Sequence, residues 1–167
     1  MTWASEDEAI AALFEEHARS LVRLARFFAD DRNAAEDLVQ EAFLRLRRSF
    51  HRITSPDRTA AYLRSIVLNL ARDHNRRGLM SLRHRMPEEE RRPSSAEDRI
   101  VMREDQQQVI DALQGLPPRQ RDCVTLRYYL DLSIPDIAMT LGISVNSVKT
   151  HLQRGMAVLE TRLEATP

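Results

Sequence analysis

A chain of 167 residues with hydrophobic content of 43% has room for one compact domain or two small ones, and its 5% aromatic share argues against a large ligand pocket. Twenty-five cationic side chains balance 25 acidic ones, so the chain as a whole is neither an acidic solvating tail nor a uniformly basic nucleic-acid coat. One cysteine, Cys123, excludes an internal disulfide and a Cys-rich zinc site, and no apolar run approaches membrane length, which points to a cytoplasmic protein.

The charge is unevenly placed. Residues 1–41 carry 4 Arg against 10 acids, residues 42–92 carry 13 Arg against 5 acids, and the remainder carries 7 Arg and 1 Lys against 10 acids. A basic middle between acidic flanks suits a protein whose parts face different partners. Cys123 itself is expected as a small buried hydrophobe.

In chain order, Ile10, Leu13, Phe14, Leu21, Leu24 and Phe28 recur at helical spacing and predict a first helix from about Ser5 to Phe28. Asp30 to Asn33 reads as a turn with capping residues. A second helix is expected from about Ala34 to Ser49, with Leu38, Val39, Ala42, Phe43 and Leu46 inward. Ser55-Pro56-Asp57 starts a third, from about Arg58 to Arg76, buried through Leu63, Ile66, Val67 and Leu70. Arg76-Arg77-Gly78 is expected to end it. Residues 78–96, with Pro87, Pro93, an EEERR run and a Ser pair, predict a flexible linker. A helix from about Glu97 to Gln114 follows, and Leu116-Pro117-Pro118 opens another that runs to about Tyr129. There is no internal repeat and no alternation of strands and helices. The fold class is therefore all-α: two small helical domains, 1–77 and 97–167, joined by the 78–96 linker.

The segment LSIPDIAMTLGISVNSVKTHLQR, Leu132 to Arg154, reads as a helix-turn-helix. Ser133 stands at an N-cap position with Asp136 three residues on, and Pro135 falls in the first turn, where its missing N–H costs little. Ile137, Ala138 and Leu141 form an apolar stripe, and Gly142 can turn the chain through a left-handed conformation. Ile143 plugs the core, Ser144 caps a second helix, and Val145, Val148 and Leu152 are expected to bury its inner face. Its outer face shows Asn146, Ser147, Lys149, Thr150, Gln153 and Arg154, with no acidic residue between Ser144 and Val158. A polar, cationic, acid-free helix behind a Gly turn is what a major groove accepts.

Two further faces carry chemistry. Asp37, Gln40, Glu41 and Leu44 are spaced i, i+3, i+4, i+7 on the second helix, an acidic stripe with an apolar member that can dock on a basic partner helix; spacing alone equally allows a solvated face. On the third helix Arg64, Asn69, Arg72 and Arg76 project away from the apolar side. Arg can hold phosphates and Asn can bond a base edge, while Tyr62, with Phe50 and His51 before it, offers rings for stacking.

These strings resemble a known family. AAEDLVQEAFLRL, Ala34 to Leu46, looks like the core-binding helix of region 2 in bacterial sigma factors, and AYLRSIVLNLARDHNRR, Ala61 to Arg77, is similar to its promoter-melting helix. LPPRQRDCVTLRYY, Leu116 to Tyr129, together with the helix-turn-helix, resembles region 4. The two-domain form is that of the extracytoplasmic-function (group IV) sigma factors, and the likeness runs from about Leu13 to Leu163.

What the resemblance implies can be set position by position. Asp37, Leu38, Gln40, Glu41 and Leu44 would contact core RNA polymerase through the β′ coiled coil, with the β subunit a further polymerase partner. His51 and the loop to Asp57 would receive a flipped base of the −10 element. Tyr62, Arg64, Asn69, Arg72 and Arg76 would hold the melted strand. Asn146, Ser147, Lys149, Thr150, Gln153 and Arg154 would read the −35 element, with Arg127 on its phosphates. An anti-sigma factor is the implied regulator, promoter DNA the implied nucleic acid, and no cofactor, metal or catalytic residue is implied. The sequence departs from the family where Tyr62 replaces the usual Trp, where Pro135-Asp136 replaces an acidic pair, and where Arg154-Gly155-Met156 replaces Arg-Ala-Arg. By propensity alone, Gly155 should cost its helix about 1 kcal/mol relative to Ala.

Two other readings compete. A response-regulator-type activator shares the SVNSVKTHL pattern but needs an α/β receiver domain, whereas residues 1–77 read as helices. A helical protein–protein adaptor could use the Asp37–Glu41 stripe but leaves the cationic helix idle. Scattered histidines and the lack of a phosphate-cradling Gly loop argue against an enzyme.

Overall fold

The computed structural model describes residues 5–29, 32–53, 55–84 and 104–165. Seven α-helices are present among them: α1 Glu6–Arg26, α2 Arg32–Ser49, α3 Pro56–His84, α4 Glu104–Gln114, α5 Pro118–Val124, α6 Ile134–Leu141 and α7 Val145–Glu164. The described residues contain no strand, in keeping with the all-α expectation. The chain divides into two compact units, Met1–Asp98 and Arg99–Pro167.

In the first unit, Ser5 caps α1 by accepting a hydrogen bond from the Glu8 N–H at 3.2 Å. Glu6, Asp7 and Glu8 lie in its first turn and Arg23 and Arg26 in its last, each sign suited to the helix dipole. Arg47, in the last turn of α2, pairs with Asp7 at 3.2 Å, so the start of α1 lies beside the end of α2, as an antiparallel pair requires. Leu13, Leu21 and Leu24 of α1 meet Val39, Ala42, Phe43 and Leu46 of α2 in a core closed by Leu63, Val67, Leu68 and Ala71 of α3.

Two inward assignments are corrected by the packing. Phe14 stays 47% exposed, with its ring 5.1 Å from that of Phe43: it covers the edge of the α1–α2 seam and does not fill it. Leu70 is only half-buried, while Leu68 and Ala71 are buried, because α3 packs on both α1 and α2 and its apolar arc is wider than one stripe.

A 3₁₀ turn, Phe50–Arg52, leads to α3. Ser55 caps that helix, its Oγ accepting from the Arg58 N–H at 3.3 Å, with Pro56 as the first helical residue. The expected stop at Arg76-Arg77-Gly78 does not occur, and the helix continues to His84. A single Gly costs a helix only about 1 kcal/mol, and no proline follows Gly78 before Pro87 to enforce the stop. The turn residues Asp30 and Asp31, the linker from Arg85 on and the expected helical start at Glu97 lie outside the described residues. Arg32 and Asn33, expected in that turn, already belong to α2.

His17 of α1 is mostly buried, and desolvation lowers its pKa below the ordinary 6.5; Glu16 opposes the shift and Arg64 adds to it. The folded state therefore binds fewer protons than the unfolded chain. The stability that neutral His17 contributes is complete above pH 6.5 and is lost as pH falls through the lowered folded value. Thermal melts between pH 7 and pH 5 should show a shallower acid loss in His17→Gln than in the wild type; equal slopes would remove His17 as the cause.

In the second unit, Leu116, Cys123, Val124, Leu126, Ile137, Val148, Leu152 and Leu159 form the core. Cys123 is fully buried there, as expected of a small hydrophobe, and its thiol is pushed up to about 11, by burial first and the neighbouring Asp122 carboxylate second. The expected helix from Pro118 to Tyr129 is α only to Val124; Thr125–Tyr129 forms a π turn. The Leu132 N–H returns to the Leu126 carbonyl at 3.1 Å, and Asp131 takes a left-handed φ of 53° to make that possible. At the far end of the unit, Arg162 of α7 donates to the Ala112 carbonyl of α4 at 3.3 Å.

Candidate polymerase and nucleic-acid interfaces

The helix-turn-helix is built by its local chemistry. Ser133 Oγ accepts from the Asp136 N–H at 3.2 Å and donates to the Asp136 carboxylate at 2.7 Å. The carboxylate thus answers the cap hydroxyl, not the Ser133 backbone. Gly142 sits at φ 65°, ψ 36°, and the Ala138 carbonyl receives both its N–H and, at 3.1 Å, that of Ile143, which is the closure of a Schellman-type cap. Ser144 then caps α7 by accepting from the Ser147 N–H at 3.1 Å. Val148, Leu152, Gly155 and Leu159 form the buried side of α7.

Gly155 has a role that propensity alone could not show. A Cβ there would lie 2.9 Å from Val124 Cγ2 and 3.5 Å from Gln120 Cβ, so the bare glycine lets α7 close on α5. The expected gain from Ala is opposed by this contact, as a Val methyl on a stiff β-branched side chain has little room to move.

On the outer side of α7, Asn146, Lys149, Thr150, Gln153 and Arg154 are exposed and Ser147 is half-buried. Two of these expected readers spend hydroxyl hydrogen bonds on the helix itself: Ser147 shares one with Ser144 at 2.9 Å, and Thr150 donates to the Asn146 carbonyl at 3.0 Å. Lys149 and Arg154 form no ion pair among the described residues. Val145, expected inward, is 38% exposed, because Val148 one turn later already closes that part of the core. Arg127 is half-buried and donates from Nη1 to the Leu132 carbonyl at 2.8 Å, pinning the turn before α6.

On α3, Tyr62, Asn69 and Arg76 are exposed and follow one another at two-turn intervals along one ridge. Tyr62 is 38% exposed, available for stacking. Arg76 pairs with Asp73 at 3.0 Å, and Arg72, on the flank of the ridge, is half-buried. Arg64 is not brought to this ridge; it is half-buried on another face, near enough to His17 to affect its titration. His51 is exposed in the 3₁₀ turn before α3; Thr54 of the same loop lies outside the described residues.

On α2, Asp37 and Gln40 are exposed, Leu38 and Glu41 are half-buried, and Leu44 is 52% exposed. Glu41 pairs with Arg45 at 3.0 Å, one turn on. The stripe is thus an acidic edge around an exposed leucine, a form that buries apolar area when a complementary helix covers it. Among the described residues no helix is long and apolar enough to cross a membrane, and no group of His, Cys, Asp and Glu could hold a metal ion.

Comparison with known proteins identifies the family of the chain. The profile of Sigma-70 region 2 matches residues 13–79, and that of Sigma-70 region 4 matches residues 106–159. The RNA polymerase sigma-E factor of Streptomyces avermitilis is 31% identical over 156 residues, covering 91% of this chain and 86% of that protein. The ECF RNA polymerase sigma factor SigL of Mycobacterium tuberculosis is 30% identical over 163 residues, covering 96% and 92%. Among solved structures, CnrH in complex with the cytosolic domain of CnrY aligns with a TM-score of 0.70 at 23% identity, over 98% of this chain and 92% of that one. The sigma factor RpoE of Bartonella quintana, solved with the anti-sigma factor NepR, aligns with a TM-score of 0.66 at 19% identity, over 94% and 98%. At these identities the structures establish the fold, while the sequence relatives establish kinship. Region 2 and region 4 follow in order along one chain and its relatives are matched over most of their length: the chain belongs to the ECF RNA polymerase sigma factors.

Proposed function

We propose that this chain acts in the cytoplasm as a transcription initiation factor, without enzymatic activity of its own, by joining core RNA polymerase and directing it to promoters with −10 and −35 elements. Residues 1–77 serve as the region 2 domain, 78–96 as the linker and 97–167 as the region 4 domain, with α3 reaching past the first boundary to His84. The observation that carries the reading is the N-terminal half of α7, whose exposed face from Asn146 to Arg154 is cationic and acid-free while its buried face is locked behind the Gly142 turn.

Asp37, Gln40, Glu41 and Leu44 form the polymerase contact, with Leu38 supporting them. Tyr62, Asn69 and Arg76, with Arg72 beside them, follow the melted −10 strand, stacking a base on Tyr62 and holding phosphates with Arg. His51 lies at the mouth of the loop that takes a flipped base. Asn146, Lys149, Gln153 and Arg154 read the −35 element, while Ser147, Thr150 and Arg127 act first as supports of the motif. An anti-sigma factor that covers these faces fits the complexes in which related folds have been solved.

The test is capture of core RNA polymerase by the purified chain, followed by run-off transcription across genomic DNA with the reconstituted holoenzyme. Discrete start sites sharing two spaced elements are expected; DNA binding without polymerase capture would instead mark a free-standing activator. Arg154→Ala should weaken −35 recognition by about 1–3 kcal/mol if its guanidinium reads a base. An unchanged preference across −35 variants, with uniformly weaker binding, would reassign it to a phosphate.

A further inference from the structure

Val145 is the first residue of α7, and the buried side of that helix does not need it. Val148 is fully buried one turn later, and Leu152 and Leu159 continue the seam, whereas Val145 is left 38% exposed. Around it, the hydroxyls of Ser144 and Ser147 bond each other at 2.9 Å, and Thr150 donates to the Asn146 carbonyl at 3.0 Å. Three polar groups of the first two turns are therefore engaged within the helix. Beside them stand Asn146, Lys149 and the branched apolar surface of Val145.

The N-terminal turns of a recognition helix are the part that meets base edges in a major groove. On those edges the only apolar group is the 5-methyl of thymine. Val145 suits it, because a β-branched side chain in a helix holds essentially one χ1 rotamer and loses little freedom on contact. We propose that Val145 is a specificity-determining residue that packs on a thymine methyl beside the bases read by Asn146 and Lys149. This rests on the reading of α7 as the −35 helix.

The test uses holoenzyme assembled from the full chain and core polymerase, on a promoter defined by run-off transcription. Each −35 thymine, on either strand, is replaced singly by deoxyuridine, which removes only the methyl. At one position the wild type should lose affinity about fourfold, the worth of one buried methyl group. Val145→Ala should lose a similar factor on the thymine promoter and show no response to deoxyuridine at that position. Val145→Thr, which keeps the shape and exchanges a methyl for a hydroxyl, should also lose affinity, and circular dichroism of both variants should match the wild type. Equal deoxyuridine sensitivity in wild type and Val145→Ala at every position would overturn the proposal while leaving the −35 reading in place. A wild-type holoenzyme indifferent to the whole −35 sequence would overturn both.

Discussion

Replacing Asp37 and Glu41 together with arginine should lower the affinity for core RNA polymerase about 100-fold or more, since complementary charge on a basic partner becomes repulsion. Both residues lie on the outer stripe of α2, with Leu44, 52% exposed, completing it. The fold should survive. Arginine is a good helix former, and the Glu41–Arg45 pair lost at 3.0 Å is a surface contact worth a few tenths of a kcal/mol. Far-UV circular dichroism should therefore be unchanged while capture of polymerase fails and DNA affinity through α7 remains. Capture within about threefold of wild type would mean that polymerase docks elsewhere, because two reversed charges inside an interface could not be so nearly silent.

Gly155→Val should destabilise the second unit by about 2–3 kcal/mol and lower −35 affinity more than tenfold. The first side-chain carbon already falls 2.9 Å from Val124 Cγ2, and the two valine methyls add bulk where α7 leans on α5. Gly155→Ala is the finer test. Helix propensity favours it by about 1 kcal/mol, but overpacking of a filled contact costs about 1–3 kcal/mol, so a small net loss is expected. Thermal melts of both variants, with polymerase capture as a control for the first unit, would check this. An alanine variant more stable by the full propensity gain would show that α5 and α7 yield freely at this contact.

Much of the recognition motif was legible because it rests on rules that operate within a few residues. The Ser133 and Ser144 caps and the left-handed Gly142 turn each depend on groups three or four positions away. The stripes of α2 and α7 followed from helical periodicity. Other features depended on what packs where. Phe14 and Val145 fit an apolar period yet remain exposed, because Phe43 and Val148 already fill the adjoining seams. Arg64 was expected to project from the apolar side of α3 and Arg127 to meet phosphates, but the fold half-buries both. Ser147 and Thr150 read as base contacts, and local hydrogen bonds engage both hydroxyls.

By itself, then, the sequence determined the helical class, most helix starts, the helix-turn-helix and the outer stripes of α2 and α7, since hydrophobic period and capping are local and additive. Only the tertiary structure decided that α3 runs to His84, that a π turn precedes the motif, and that Gly155 is a spacer where propensity marked it as a defect. The Gly155 outcome depends on a contact between helices distant in the chain, where one methyl placed 2.9 Å from a neighbour can outweigh an intrinsic preference of about 1 kcal/mol.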